Sequence, residues 1–288
     1  MARSSINICP NRIRVSETMI EHLLQPLVCS RFRNDARYRD GHLRVVNALP
    51  QRKVMGLHTP DMKLLAKEFH RNGGEVVLPG GMRRQCSCGA AIISNFELVP
   101  PENLCHEEVM IWGFLINLEK CDVSSRLAML ERFVPVMDNW AVCDAFCANA
   151  KWMSRIDKAL LWDSLQPWFS SHCEFEVRFA VVASMCSLLC DGWIDKLFKR
   201  IDAIDFDVIT SLYRTRKGKP QTAQEGTVQG ASPYYVRMAV AWLLATALAK
   251  YPVLTRSFVH ESHLPKDVIA LYVRKARESF RTRSVEAL

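Results

Sequence analysis

The chain lacks any uncharged apolar run approaching the ~18 to 20 residues that a membrane-spanning helix requires. Its opening stretch, MARSSINICPNRIRVSE, has no continuous apolar segment of the secretory kind. These absences lead us to expect a cytoplasmic protein with no membrane partner. Alternating apolar and polar positions, the mark of half-buried strands, are almost missing as well. So are the common catalytic signatures: a Gly-rich phosphate loop, His-Glu-x-x-His, Gly-x-Ser-x-Gly and Cys-x-x-Cys. Histidines occur singly, which leaves no nucleophile–histidine pairing. Cys86 and Cys88 in RRQCSCG stand close together, but with one intervening residue and no second pair or nearby histidine they do not suit zinc. The eleven cysteines are odd in number and scattered. Cys143, Cys147, Cys186 and Cys190 sit in apolar helical stretches and read as small hydrophobes. No metal or other cofactor is expected.

What the chain does have is a basic balance. Its 288 residues carry a net charge of +8, and the cations are clustered. RFRNDARYR (31–39), YRTRKGK (213–219) and VRKARESFRTR (273–283) are the densest segments. Clustered Lys and Arg suit a polyanion, because neutralising phosphates releases counterions, although a solvated face has the same composition.

Helical signals dominate. Thr59-Pro60-Asp61 supplies a cap, a proline at the first helical position and an acid in the first turn of PDMKLLAKEFH. The segment 72–89, NGGEVVLPGGMRRQCSCG, reads as a loop or insertion. From about residue 104 helices follow closely: LCHEEVMIWGFLINL, SSRLAMLERFVPVM, one capped by Asp138 or Asn139, and one over about 155–168. Ser171 and Glu174 form a capping box opening EFEVRFAVVASMCSLL, which stops at Asp191-Gly192. Short helices fill about 193–213, and 214–232 reads as a basic flexible loop. Ser232-Pro233 starts YYVRMAVAWLLATALAK, and a last helix covers about 265–282. The expected class is all-α, with helix pairs stacked as a curved α-solenoid whose concave basic face suits a duplex.

In DNWAVCD (138–144) the spacing puts Trp140 and Asp144 on one helical face. From the residues alone Asp144 is either an exposed acid or the partner of a buried arginine, and Trp140 is core or site. Trp242, apolar on every side in AVAWLLA, reads as core. Arg178, one step off the apolar stripe of its helix, reads as a member of a surface ion pair.

Five segments in order change the weight of those residues: VMGLHTPDMKLLAKEF (54–69), DNWAVCDAFC (138–147), EFEVRFAVV (174–182), YYVRMAVAWLL (234–244) and KARESFRTRS (275–284). Together they resemble the AlkD-like DNA alkylation-repair glycosylases, a family built from HEAT-like helical repeats. The match covers 54–288, with loops at 72–89 and 214–232 as elaborations, and leaves 1–53 as a poorly matched basic helical segment. The resemblance implies a monomeric, cofactor-free glycosylase that acts on cationic N3- or N7-alkylated purines in duplex DNA and associates with the nucleoid when bound. It further implies action without enclosure of a flipped base. Asp144 would stabilise the sugar cation and position water, Trp140 and Trp242 would face the charged purine, and Arg178 would hold a phosphate. The basic clusters make Arg214, Arg216, Lys217, Lys219, Lys275 and Arg281 further candidates for contact with the duplex. Two rivals are a related protein that binds damaged or branched DNA without excision, and a helical scaffold for protein partners.

Overall fold

The structure, a computed structural model, describes residue 20 and residues 24–72, 74–77, 83–86, 88–216, 219–228 and 232–288, the side chains of 72–88 and 214–231 excepted. The chain is all-α. Short helices α1 (Ser30–Asn34) and α2 (Ala36–Val46) come first. Asp35 opens α2 by accepting from the Tyr38 N–H, and Asn47, at φ 48, closes it in the left-handed conformation that this residue type tolerates. Then come α3 (Thr59–Asn72), α4 (Cys88–Leu98), α5 (His106–Leu118), α6 (Val123–Phe133), α7 (Trp140–Asn149), α8 (Lys158–Phe169) and α9 (Glu174–Ser187). The series ends with α10 (Ile194–Asp202), α11 (Tyr234–Lys250), α12 (Pro252–Glu261) and α13 (Lys266–Glu278). No helix among the described residues is long and apolar enough to cross a membrane.

Two stretches expected as loops are antiparallel hairpins: β1 (Gly74–Val77) pairs with β2 (Arg83–Cys86), and β3 (Ser211–Arg216) with β4 (Lys219–Val228). A two-stranded ribbon is held by its backbone bonds, and the start of β3 is also buried, at Ser211 and Tyr213. One cap resolves to the second of its two candidates, and another differs from expectation. Asn139 alone caps α7, accepting from the Val142 N–H, while Asp138 pairs with Arg52 at 2.7 Å. No Ser171–Glu174 capping box forms. Ser171 donates to Glu176, and Glu174 reaches away to α11, because α9 begins only after Cys173.

Alternate helices stack: α3 packs on α5, α5 on α7, α7 on α9, α9 on α11 and α11 on α13. Helices α4, α6, α8 and α12 flank that series. Through the stack runs a line of buried rings, Trp112, Phe133, Phe146 and Phe179, with successive centroids 5.3, 5.1 and 6.1 Å apart. Each such side chain contributes about 1.5–3 kcal/mol by leaving water. Gly113 lets α5 approach this line, since a Cβ there would lie 2.7 Å from the Phe133 ring.

The N-terminal segment is tied to the stack by buried polar contacts. The Glu107 carboxylate accepts from the N–H groups of Met55, Gly56 and Leu57 at 3.0, 2.8 and 3.3 Å. Gly56 adopts φ +90 beneath Phe32, where a Cβ would fall 2.1 Å from a ring carbon. Arg52 donates to Asp138 and to the Leu104 carbonyl at 2.7 Å, also contacting the Pro101 carbonyl. Losing either charge of that buried pair would cost about 3–5 kcal/mol. These ties bring α2 alongside α7 and α11.

Candidate active site

Helix α7 presents its first turn to a cleft of about 1270 Å3. Asn139 sets the start of the helix, so Trp140 and Asp144 share a face, as their spacing predicts. Both line the cleft, together with Arg178, Tyr235 and Trp242. The Trp140 indole is partly buried, and its Nε1–H donates to the Val45 carbonyl at 2.8 Å. That bond fixes the ring plane against the last turn of α2.

Asp144 lies between cleft and core. Its Oδ1 accepts from Arg178 Nε at 3.0 Å and its Oδ2 from Nη2 at 2.8 Å, a two-pronged pairing of planar groups. Arg178 is 4% exposed, and its Nη1 donates to the Tyr235 carbonyl at 2.6 Å. Burial, the largest single influence, works against the guanidinium charge, but Asp144, Cys143 and Glu174 together outweigh it and raise the arginine's pKa above the ordinary value. Arg178 is therefore neither a surface ion-pair member nor an outward phosphate contact. All three of its nitrogens donate inside the protein, because its position on α9 faces α7 and α11. Asp144 is the partner of a buried arginine, one of the two readings its sequence left open. Each carboxylate oxygen keeps a further lone pair for a ligand.

One turn before Arg178 stands Glu174, 4% exposed. It accepts from the Tyr235 N–H at 2.6 Å and from the Ser211 hydroxyl at 2.5 Å. Glu174 and Arg178 thus grip the N–H and the carbonyl of one residue, Tyr235, at the start of α11. Burial pushes the Glu174 pKa up from 4.5 to about 7, against the pull of Ser211, Tyr235 and Arg178. Seven residues beyond this grip, on the same face of α11 as Tyr235 and Met238, stands Trp242. It is 36% exposed and lines the cleft, so its fully apolar surroundings in sequence do not make it core.

The opposite wall comes from α2, through Leu43, Arg44 and Val45, and the rim from Arg274 and Lys275 of α13. Lys275 lines the cleft and also pairs with Glu278 at 3.0 Å. Arg281 is exposed beyond α13, outside the residues lining the cleft. Arg214 and Arg216 fall on β3 and Lys219 on β4, with side chains outside the described residues; Lys217 lies outside them altogether. Among the described residues no group of three His, Cys, Asp or Glu side chains is placed to hold a metal ion.

No family model, curated protein or solved structure matches the chain. The site must therefore be read from its own geometry: a carboxylate of fixed orientation, two indoles at different depths, and cations at the rim. Sequence reasoning missed Tyr235, Met238 and Glu174, although counting back from Trp242 at helical spacing reaches Met238 and Tyr235. It missed the α2 wall too, for which the sequence carries no signal.

Proposed function

We propose that the chain is a monofunctional DNA glycosylase that hydrolyses the N-glycosidic bond of cationic N3- or N7-alkylated purines in duplex DNA, as its resemblance to the AlkD-like family implies. The observation that carries this reading is the seat of Asp144, held by a buried guanidinium at the floor of a cleft that Trp140 and Trp242 also line. Alkylation at N3 or N7 makes the purine a cation, so C1′–N9 cleavage releases a neutral base and moves the charge to the sugar. A carboxylate ~4 Å from that charge contributes about 4 kcal/mol at an effective dielectric of ~20. Water then adds to C1′ and loses its proton. Indole faces attract the cationic purine in preference to a neutral one, by about 0.5–2 kcal/mol. Arg178 acts as a positioning residue: it orients Asp144 and, being farther from the sugar, offsets part of its field. The phosphate contacts then fall to Lys275, Arg274 and Arg44 at the rim. Stacking of alternate helices supports a curved α-solenoid of HEAT-like repeats, to which this reading adds a basic concave face and a monomer acting on duplex DNA.

A second reading, a helical protein that binds damaged or branched DNA without excision, is favoured by one observation: both Asp144 oxygens already accept from Arg178. Release of 7-methylguanine from methylated duplex separates the two. The wild type is expected to liberate the base, and folded Asp144→Asn to bind duplex but release none. Duplex binding without base release by the wild type supports the second reading. Wild-type release by Asp144→Asn removes Asp144 from the mechanism.

A further inference from the structure

Glu174 is a buried carboxylate beside the site, and the proposed chemistry gives it no task. Its Oε1 accepts from the Tyr235 N–H at 2.6 Å, and the Val236 N–H also acts on the carboxylate, so it sits at the first turn of α11. Its Oε2 accepts from the Ser211 hydroxyl of β3 at 2.5 Å. Asp144 gives both oxygens to Arg178, so seen from the cleft that pair is neutral and acts as a dipole, whose field falls off faster than that of a charge. Arg178 stands in the field of Glu174 as well as that of Asp144. Two carboxylates and one guanidinium leave one net negative charge. Glu174 does not line the cleft, and Asp144, with 17% of its side chain exposed against 4% for Arg178, is the member that presents this charge there.

We infer that Glu174 is a positioning residue for cleavage of the glycosidic bond: it offsets the charge of Arg178, so that Asp144 acts on the developing sugar cation as an anion and not as one end of a neutral pair. This rests on the glycosylase reading and asks nothing of how the base is held. A second carboxylate behind the guanidinium lets Asp144 present negative charge with both oxygens engaged, the feature that otherwise favours binding without excision. Burial makes the arrangement adjustable. It pushes Glu174 up from 4.5 to about 7, against Ser211, the Tyr235 and Val236 N–H groups and Arg178, all of which favour the charged form. The groups facing Glu174 are Arg178 of its own helix with Asp144 of α7 beyond it, Ser211 and Tyr213 of β3, and Tyr235 of α11; Tyr213 stands in turn in the field of Asp138 and Arg52. Above about pH 7 Glu174 is ionised, and it leaves one net negative charge on the three groups. Below that pH the three together are neutral, and the sugar cation loses the added stabilisation. No histidine or cysteine is among the described residues lining the cleft, so a transition near pH 7 has no other source there.

The test is single-turnover release of 7-methylguanine from methylated duplex by the full chain, with protein in saturating excess, between pH 5.5 and 8.5. The wild-type rate is expected to rise about five- to fifteen-fold with a midpoint near pH 7, the effect of a unit charge about 10–15 Å from the sugar at an effective dielectric of ~20. Glu174→Gln keeps an acceptor for the Tyr235 N–H and removes the charge, so it is expected to show the low-pH rate of the wild type at every pH. Ser211→Ala removes no charge but deletes a donor that favours the ionised form, so its midpoint is expected to move up by roughly half a pH unit or more. A midpoint does not depend on the fraction of folded protein, so Ser211→Ala decides the matter should Glu174→Gln fail to fold. A purely structural role of Glu174 would not move it. Release at a rate flat over this range, a transition that Glu174→Gln retains, or a midpoint that Ser211→Ala leaves in place overturns this inference while the glycosylase reading stands. No release of 7-methylguanine by the wild type at any pH overturns the glycosylase reading, and this inference with it.

Discussion

Glu174 and His106 are expected to push stability in opposite directions over the same pH range. In the folded protein burial raises Glu174 from 4.5 to about 7. The groups facing it are Arg178 from its own helix, Ser211 and Tyr213 from β3, and Tyr235 from α11. Burial lowers His106 from 6.5 to about 4, with His42 and Arg52 acting the same way and Glu107 opposing them. Each displacement is worth about 3 kcal/mol, at 1.36 kcal/mol per pH unit. As pH falls from 7 to 4.5 the folded state takes up the Glu174 proton before the unfolded state does, so this carboxyl adds stability. As pH falls from 6.5 to 4 the unfolded state protonates its histidine first, so His106 removes stability. In the wild type the two nearly cancel. Urea unfolding at pH 7.5, 6.5, 5.5 and 4.5 separates them, read as each variant's stability minus that of the wild type so that other titrations drop out. For Glu174→Gln that difference should fall by about 3 kcal/mol on acidification, and for His106→Asn it should rise by about as much. Differences that stay flat within about 0.5 kcal/mol, or that run in the same direction, refute the assignment of buried, displaced groups at the two positions.

Removing either partner of the Asp144–Arg178 pair should cost about 2–4 kcal/mol, slightly below the range for fully buried pairs because Asp144 keeps some exposure. The double variant Asp144→Leu/Arg178→Met should lose clearly less than the sum of the single losses; additivity within about 0.5 kcal/mol in chemical denaturation would mean that the pair is not coupled. Gly56→Ala should destabilise by about 2–4 kcal/mol, since it meets the Phe32 ring at φ +90, whereas Gly192→Ala, at φ +77 in open space, should lose about 1 kcal/mol. Equal melting shifts would show that the Phe32 contact is soft. Trp140→Phe deletes the donor to the Val45 carbonyl, worth about 1 kcal/mol, and should speed hydrogen exchange in α2 more than in α9; uniform exchange would uncouple the indole from the wall.

Arg178 marks where sequence reasoning stops. Position on its helix suggested an outward cation, and the same position faces inward because α7 and α11 both close over that side of α9. Trp242 errs in the other direction: apolar neighbours in sequence suggested core, yet α11 turns that residue toward a cleft. In both cases sequence periodicity shows which residues share a face. What covers the face depends on helices up to about sixty residues away in the chain.

From the sequence alone came the all-α class, the helix starts at Thr59 and Asn139, and the shared face of Trp140 and Asp144. These depend on caps, on prolines and on a 3.6-residue repeat, all of which act within a few residues. The tertiary structure alone decided that Asp144 is pinned by a buried guanidinium, that Glu174 and Arg178 grip both backbone groups of Tyr235, and that α2 walls the site. Those contacts join segments 34 to 188 residues apart. They form only when burial of the intervening helices offsets the loop entropy of bringing such distant groups together.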